Sequence, residues 1–349
     1  MRTRLLLATL AALSAIALVA GSAPSAQAAP SVQAAPSVQA ARPLPVIYNW
    51  DAGFVTTIGN ATTPPPGAIT YDATGKLASC ASSARLPVIL VHGTWENQHD
   101  NWQAAAPLLK NAGFCVYTFT YGGKVNDVFD GTGPVATSAG QLGTFIDDVR
   151  AATGSTQVDV VGHSQGGMMP RYYLKFGHAF TGGSYGSGTS KIRKLIALAP
   201  SNHGTTLSGI AVLGKALGLL TAVAAVQPAA IDQTIGSDFN AKLDTCPGGL
   251  PSADICAGDP VQYTVLETRY DQVVTPYTNA FLAPNPAAKG SLTNITLQRG
   301  CGLDWSEHLA ITYDSYAYGL VLAALGVTDP ASVPGASPSC KVITPYVGG

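Results

Sequence analysis

The stretch Gln157–Met169, QVDVVGHSQGGMM, places a serine where an apolar strand runs into a glycine-rich turn. Val158–Val161 has the composition of a short buried strand, and the pattern G-x-S-x-G follows around Ser164. Such a turn strains its central residue, and the chain passes so closely that Gly162 and Gly166 must lack side chains. A helix starting after the serine would aim its N-terminal N–H groups at an oxyanion formed there. The stretch therefore predicts a nucleophilic serine, whereas a chance serine in a glycine turn would not need this strand and helix.

The amino terminus has the features of an export signal. Two arginines precede an apolar run that ends at Ala20, and an A-x-A cleavage pattern ends at Ala28. The run is short for the alternative, a membrane anchor. We therefore predict a signal peptide over residues 1–28 and a low-complexity linker or pro-segment over residues 29–41. The protein is then secreted and extracellular.

The charge balance excludes some partners. The 349-residue chain has a formal net charge of −1, and only 11% of its residues are charged. Without Arg2 and Arg4, 19 − 2 = 17 basic residues face 20 acidic ones, a charge of −3. No basic cluster indicates nucleic acid. A weakly charged surface is compatible with weakly polar substrates.

The cysteines indicate disulfides. An even count of six in an exported chain leaves no obligatory free thiol, which argues against cysteine catalysis. No pair has the C-x-x-C spacing of a zinc site, and no metal is predicted. Spacing suggests the pairs Cys80–Cys115, Cys246–Cys256 and Cys301–Cys340, although the sequence alone permits other connectivities.

Strands and helices alternate from residue 86 onward. The predicted strands are Pro87–Val91, Phe114–Tyr121, Val158–Val161, Ile192–Ala199, Tyr263–Glu267 and Asn294–Gln298. The predicted helices are Trp102–Asn111, Ser138–Thr153, the run from the G-x-S-x-G turn (the serine elbow) to Phe176, and Ile311–Leu325. Residues 49–83 show little periodicity and are predicted to be an extended lead-in. The alternation predicts a mainly parallel sheet with helices on both faces. Sheets of this kind bind ligands beyond the carboxyl ends of their strands. With the serine elbow, this indicates an α/β-hydrolase fold in one catalytic domain over residues 42–349.

The segment Thr205–Pro228 is apolar nearly all round and reads as one or two helices over the site. As a lid or acyl-pocket wall it would present apolar surface to a lipid. The alternatives are a buried core helix and a membrane span, the latter interrupted by Lys215 and several glycines. We favour the lid or pocket wall.

Elimination selects the catalytic base. A serine hydroxyl needs a histidine to take its proton and an acid to orient that histidine, and in this fold they follow in the order Ser, acid, His. No Asp or Glu occurs between Gln165 and Asn202, so His178 and His203 cannot follow such an acid. The predicted base is His308, in a loop before the last predicted helix.

The acid is selected by its place after a strand. Nine carboxyl residues lie in the permitted interval: Asp232, Asp238, Asp244, Asp254, Asp259, Glu267, Asp271, Asp304 and Glu307. Asp271 comes immediately beyond the apolar strand that ends near Glu267, where an acid can reach the neighbouring loop. We predict Asp271 as the acid, with Glu267 as the runner-up and a solvated turn aspartate as the alternative reading.

Two turns supply the predicted oxyanion hole. One backbone N–H comes from the residue after the nucleophile, Gln165, and the other from the turn after an earlier strand. The strand at Pro87–Val91 ends in His92-Gly93-Thr94, which makes Thr94 the second donor, and its hydroxyl could add a bond. His92 and His163 are expected to pack beside these loops and not to act as the base.

Four motifs in this order resemble the secreted bacterial class 2 lipases and are locally similar to lipases of the Candida antarctica lipase B type. They are VILVHGT from Val88, VVGHSQGG from Val160, TRYDQVVTPY from Thr268 and the segment around His308. The resemblance covers roughly residues 78–340. It implies Ser164, Asp271 and His308 as the triad, Thr94 and Gln165 as oxyanion donors, and the Cys80–Cys115 and Cys301–Cys340 bridges.

The motifs predict a serine carboxylic-ester hydrolase, a lipase or esterase, that needs no cofactor. The expected partners are a lipophilic ester and, transiently, a lipid interface, with the protein a monomer. An extracellular polyester depolymerase uses the same triad, and a catalytically silent surface-binding protein could share the fold.

Overall fold

A computed structural model describes residues 42–345, apart from residues 56, 58–59, 81–82, 124–128 and 219–226. The predicted signal peptide and linker lie outside the described residues. Pro43–Gly349 forms one compact unit. Within the described part of the chain, no helix is long and apolar enough to cross a membrane.

A seven-stranded parallel sheet lies at the centre of this unit. Its strands are β1 (Ala68–Ile69), β2 (Val88–Val91), β3 (Val116–Thr118), β4 (Val158–His163), β5 (Ile192–Leu198), β6 (Gln262–Glu267) and β7 (Leu292–Thr296). They lie side by side in the order β1-β3-β2-β4-β5-β6-β7, and every pairing is parallel. The strand before Ser164 is central, because Gly162 of β4 pairs with Val91 of β2 and with Ala197 of β5.

Helices follow most of the strands. The α-helices are α1 (Ala105–Asn111), α2 (Val135–Thr153), α3 (Gln165–Phe176), α4 (Leu207–Ala216), α5 (Pro228–Asp232), α6 (Asp238–Leu243), α7 (Leu297–Gly300) and α8 (Ser315–Leu325). This is the strand and helix alternation that the sequence predicts.

The core lies on both faces of the sheet. Along β2, Val88 and Leu90 belong to one buried cluster, and Ile89 and Val91 belong to the other. Successive side chains of a strand point to opposite faces, so a strand covered on both faces is apolar throughout. This is why VILV reads as an unbroken apolar run.

The structure differs from the sequence prediction mainly at element ends. The predicted lead-in contains the edge strand β1 and a π-helical turn at Asp51–Val55. A two-residue strand that pairs only with β3 leaves no periodicity to detect. The last helix is also divided. A 3-10 turn at Ala310–Tyr313 precedes α8, which begins where the Asp314 carboxylate accepts hydrogen bonds from the N–H groups of Tyr316 and Ala317.

The apolar segment Thr205–Pro228 contains α4 and the start of α5, and residues 219–226 lie outside the described residues. Ile210 and Leu213 of α4 are buried in the core, whereas Leu207 is 65% exposed. The described part of the segment therefore has a buried side, as in the alternative of a core helix, and an exposed apolar end, as the favoured pocket wall or lid requires.

All three predicted disulfides are present. Cys80 joins Cys115, Cys246 joins Cys256, and Cys301 joins Cys340. The last two bridges fasten the loop that follows α6 and the segment around His308.

Candidate active site

The strand–serine–helix turn has the geometry that its glycines predict. Ser164 lies between β4 and α3 with φ 53° and ψ −122°. A Cβ atom on Gly162 would lie 2.0 Å from the Gly166 carbonyl oxygen, and one on Gly166 would lie 2.1 Å from the Val91 carbonyl oxygen. The close packing of β2, β4 and α3 therefore requires both glycines, and it holds Ser164 in the left-handed region.

Ser164, His308 and Asp271 meet at the carboxyl ends of the strands. The Ser164 hydroxyl oxygen lies 3.0 Å from His308 Nε2, and His308 Nδ1 lies 2.7 Å from Asp271 Oδ2. All three residues are buried. Burial alone would lower the pKa of His308, but the charge and hydrogen bond of Asp271 outweigh it and raise that pKa above its usual value. The three predicted triad residues thus form one hydrogen-bonded chain.

Backbone N–H groups fix the carboxylate of Asp271. Its Oδ1 accepts hydrogen bonds from the N–H groups of Val273 and Val274, both at 2.7 Å, which leaves Oδ2 for His308. Glu267, the runner-up, is fully buried beside it. Burial, and then the charge of Asp271, raises the pKa of Glu267 well above its usual value. The raised pKa favours the neutral form of Glu267, and the carboxyl group hydrogen-bonded to His308 is that of Asp271.

Thr94 and Gln165 lie together next to the serine. Gln165 is the first residue of α3, and its side-chain Nε2 donates to Thr94 Oγ1 at 2.8 Å. Among the described residues, the backbone N–H groups of Thr94 and Gln165 have no acceptor. The two turns are close, since a Cβ on Gly93 would lie 3.1 Å from Ser164 Cβ. Two unpaired N–H groups beside the serine form a site for an oxyanion.

A buried Glu96–His163 pair joins the loops around the site, and sequence reasoning did not find Glu96. His163 Nδ1 lies 2.8 Å from Glu96 Oε2, and His163 Nε2 lies 2.9 Å from the backbone carbonyl oxygen of His308. The same Glu96 oxygen accepts from the Gly93 N–H at 2.8 Å. His163 thus packs beside the loops as predicted. The sequence signal that could have identified Glu96 is its position, two residues after Thr94.

His92 also packs as predicted, away from the serine. Its Nδ1 lies 2.8 Å from the Gly93 carbonyl oxygen, and its ring stacks on Tyr121 with centroids 4.2 Å apart. Burial lowers the pKa of His92 to about 4. His92 is therefore neutral, and it packs beside the turn that carries the predicted oxyanion donor Thr94.

One group of described side chains has atoms close enough together to be considered for a metal ion: His203, Asp244 and Asp254. His203 Nδ1 lies 3.7 Å from Asp244, and His203 Nε2 lies 3.3 Å from Asp254. The nearby carboxylates of Asp244 and Asp254 raise the pKa of His203 to about 9. Each carboxylate lies against a different ring nitrogen, as in a charged imidazolium between two acids, and His203 Nε2 also lies 3.0 Å from the Phe281 carbonyl oxygen.

Comparison with solved structures agrees with this fold. The Aspergillus fumigatus lipase B structure aligns with a TM-score of 0.55 and 22% identity, over 76% of this chain and 58% of that one. The fold is thus the predicted α/β-hydrolase fold.

Comparison of the sequence with known proteins gives a similarity more specific than the fold. Residues 85–217 match the family described as Lipase (class 2), a range that contains Thr94, Ser164 and Gln165. The chain is 37% identical over 100 residues to a triacylglycerol lipase of Pseudarthrobacter phenanthrenivorans, and equally to one of Burkholderia plantarii. The aligned stretch spans 30% and 26% of those relatives, and 27% of this chain. The family match covers less than half of the chain, and over that range it confirms the resemblance to class 2 lipases that the motifs predict.

Proposed function

We propose that this protein is a secreted serine hydrolase that cleaves acylglycerols or other lipophilic carboxylic esters through an acyl-enzyme on Ser164. The observation that carries the proposal is the continuous hydrogen-bonded chain from Ser164 through His308 to Asp271, with distances of 3.0 and 2.7 Å. A serine becomes a nucleophile when a histidine oriented by an acid can take its proton. A surface-binding protein of the same fold would have no use for that arrangement.

The residues support the following steps. His308 Nε2 takes the hydroxyl proton as Ser164 Oγ attacks the ester carbonyl carbon. The carbonyl oxygen becomes an oxyanion, and the backbone N–H groups of Thr94 and Gln165 hold it. His308 then gives its proton to the leaving alcohol, and the acyl group stays on Ser164. In the second half, His308 deprotonates a water molecule that attacks the acyl carbon. The bond between the acyl carbon and Ser164 Oγ then breaks, His308 returns the proton to Oγ, and the carboxylic acid leaves.

An apolar rim near the site supports a lipophilic substrate. Leu207, Ile231 and Ile235 are about half exposed or more, at 65%, 53% and 47%. They flank the predicted oxyanion turn and the acid loop, because Gln233 bonds to Thr94 and the Thr206 hydroxyl bonds to Thr275. Large apolar side chains on a surface mark contact sites for apolar partners. The same rim would suit a polyester chain, which is the second candidate substrate.

The serine assignment is tested by replacement and labelling. Ser164→Ala should abolish both hydrolysis of p-nitrophenyl butyrate and labelling by a fluorophosphonate. The reason is that, among the described residues, only Ser164 has a hydroxyl hydrogen-bonded to His308 Nε2. The matched control is Ser138→Ala, a buried serine on α2 outside the site, which should keep both. Retained hydrolysis in Ser164→Ala, or a label on another residue, would refute the proposal.

The substrate class is tested by rates on a series of acyl chain lengths. Each ester is measured below and above its solubility limit, with a polyester film alongside. A preference for long acyl chains supports the lipase proposal, and faster release from the film than from any acylglycerol supports the depolymerase. A rate jump above the solubility limit would indicate a moving lid, and smooth saturation would indicate a fixed wall.

A further inference from the structure

Two glutamine amides enclose the hydroxyl of Thr94. Gln165 Nε2 lies 2.8 Å from Thr94 Oγ1, and Gln233 Nε2 lies 2.7 Å from the same oxygen. The two amides come from different elements, since Gln165 begins α3 and Gln233 is the residue directly after α5. All three residues are buried, with exposures of 3% or less. In this dry setting each hydrogen bond constrains the hydroxyl strongly.

Neighbouring groups fix which way each amide points. Gln165 Nε2 also donates to the Gly131 carbonyl at 2.8 Å, and Gln233 Nε2 donates to the Ala229 carbonyl at 3.0 Å. In addition, Gln233 Oε1 accepts from the Ser201 hydroxyl at 2.8 Å. Turning either amide over would place its oxygen against a carbonyl oxygen, and neither atom could donate. Both glutamines therefore present N–H groups to Thr94.

This arrangement determines where the hydroxyl proton of Thr94 can point. A hydroxyl oxygen has two lone pairs and one proton, and the two amides occupy both lone pairs. The proton must point in the remaining direction. Within the described part of the chain it has no acceptor, and neither do the backbone N–H groups of Thr94 and Gln165. Three unpaired donors thus lie together next to the serine.

We propose that Gln233 is a positioning residue that holds the Thr94 hydroxyl as a third donor to the oxyanion. The inference rests on the proposed ester hydrolysis. Gln233 itself does not reach the reacting atoms in this role. It occupies an acceptor site of the hydroxyl, so that the proton is already aimed when charge develops and need not reorient during the reaction.

A double-mutant cycle tests the inference. Gln233→Met removes the amide at nearly constant volume, and we expect kcat to fall about tenfold with KM changed less than about threefold, since the donor is lost in the transition state. Thr94→Val removes the hydroxyl and keeps the backbone N–H, with an expected loss of about 10²-fold in kcat. In the Thr94→Val background, Gln233→Met should change kcat by less than about twofold, because the group it orients is gone.

A purely structural role for Gln233 predicts a different cycle. Gln233→Met would then lower kcat by the same factor with or without the hydroxyl, and that result overturns the inference. An unchanged kcat in Gln233→Met alone also overturns it. Thr94→Ser supplies the rescue, since it restores a hydroxyl and should restore both the activity and the sensitivity to Gln233→Met.

Controls separate this inference from the proposed function. Gln157→Met, a glutamine that bonds to the Ser190 carbonyl far from the serine, should leave kcat unchanged. Fluorophosphonate titration gives the fraction of each variant with a competent Ser164, and thermal unfolding shows whether it is folded. If the parent protein is not labelled at Ser164, the proposed function fails. If it is labelled but the cycle is additive, only the role of Gln233 fails.

Discussion

Asp271→Asn is expected to inactivate the enzyme by forcing the wrong tautomer on His308. The backbone N–H groups of Val273 and Val274 both donate to Oδ1 at 2.7 Å, so the amide oxygen of asparagine must take that position. The amide nitrogen then faces His308 Nδ1 in place of the carboxylate oxygen that lies there at 2.7 Å. Two N–H groups cannot face each other, so Nδ1 loses its proton and Nε2 acquires one. His308 can then no longer accept the proton of Ser164.

The expected loss in kcat is about 10⁴-fold, equivalent to about 5 kcal/mol of transition-state stabilisation. The assay is steady-state hydrolysis of p-nitrophenyl butyrate, with thermal unfolding to show that the variant is folded. Glu267→Gln is the matched control. Because burial beside Asp271 raises the pKa of Glu267 and so favours its neutral form, a neutral amide of the same shape should keep activity within about threefold of the parent. A loss of less than tenfold in Asp271→Asn, or a larger loss in Glu267→Gln, would show that the acid is misassigned.

Three further predictions follow from the pKa shifts and the elbow. Ester hydrolysis needs neutral His308, whose pKa the Asp271 carboxylate raises, so the acid limb of a kcat/KM profile should have its midpoint above the usual value of about 6.5; a midpoint below pH 6 would contradict this. Gly166→Ala should destabilise the fold by about 3 kcal/mol or more, since its Cβ would lie 2.1 Å from the Val91 carbonyl oxygen, and urea unfolding measures the loss. His203 has a folded-state pKa of about 9, above its unfolded value, so its ion pairs stabilise the fold fully below about pH 6.5 and lose that effect as the pH rises through 9. His203→Gln should therefore lower the unfolding free energy by about 1–2 kcal/mol near pH 6, a value reduced for the half-exposed Asp244, and should match the parent above pH 10. Equal destabilisation at both pH values would exclude the charged imidazolium.

The sheet and the triad geometry could be predicted from the sequence because each has a local signal. Buried parallel strands are continuous apolar runs, and the G-x-S-x-G pattern marks the turn around Ser164. Gly162 is required by a local contact with Gly166, whereas Gly166 is required by a contact with Val91 of the neighbouring strand β2. The order of Ser, acid and His then selected His308, and the position just after a strand selected Asp271 from nine carboxyl residues. The strand β1 could not be predicted, because its two residues are defined only by pairing with β3.

Contacts between distant side chains were also beyond the sequence. Gln233 lies far along the chain from Thr94, and nothing in its local pattern distinguishes it from a surface glutamine. The raised pKa of Glu267 depends on full burial beside Asp271, which is a property of the folded packing. Sequence reasoning thus predicts the groups that we propose to react, and the structure adds the buried side chains that contact them.

The described part of the apolar segment Thr205–Pro228 is bonded to the loop that carries Asp271, which favours a fixed pocket wall over a moving lid. The Thr205 hydroxyl, just before α4, donates to the Val273 carbonyl and accepts from the Thr275 N–H at 3.0 Å. At Gly209 of α4, a Cβ would lie 2.0 Å from the same Val273 oxygen, so the helix and the loop are in backbone contact. The Val273 N–H in turn holds Asp271. A movement of α4 would therefore displace Asp271, whose carboxylate lies 2.7 Å from His308, so we expect the start of this helix to stay in place during the proposed catalysis. We accordingly expect substrate selection at this end of the site to depend on the shape of the wall.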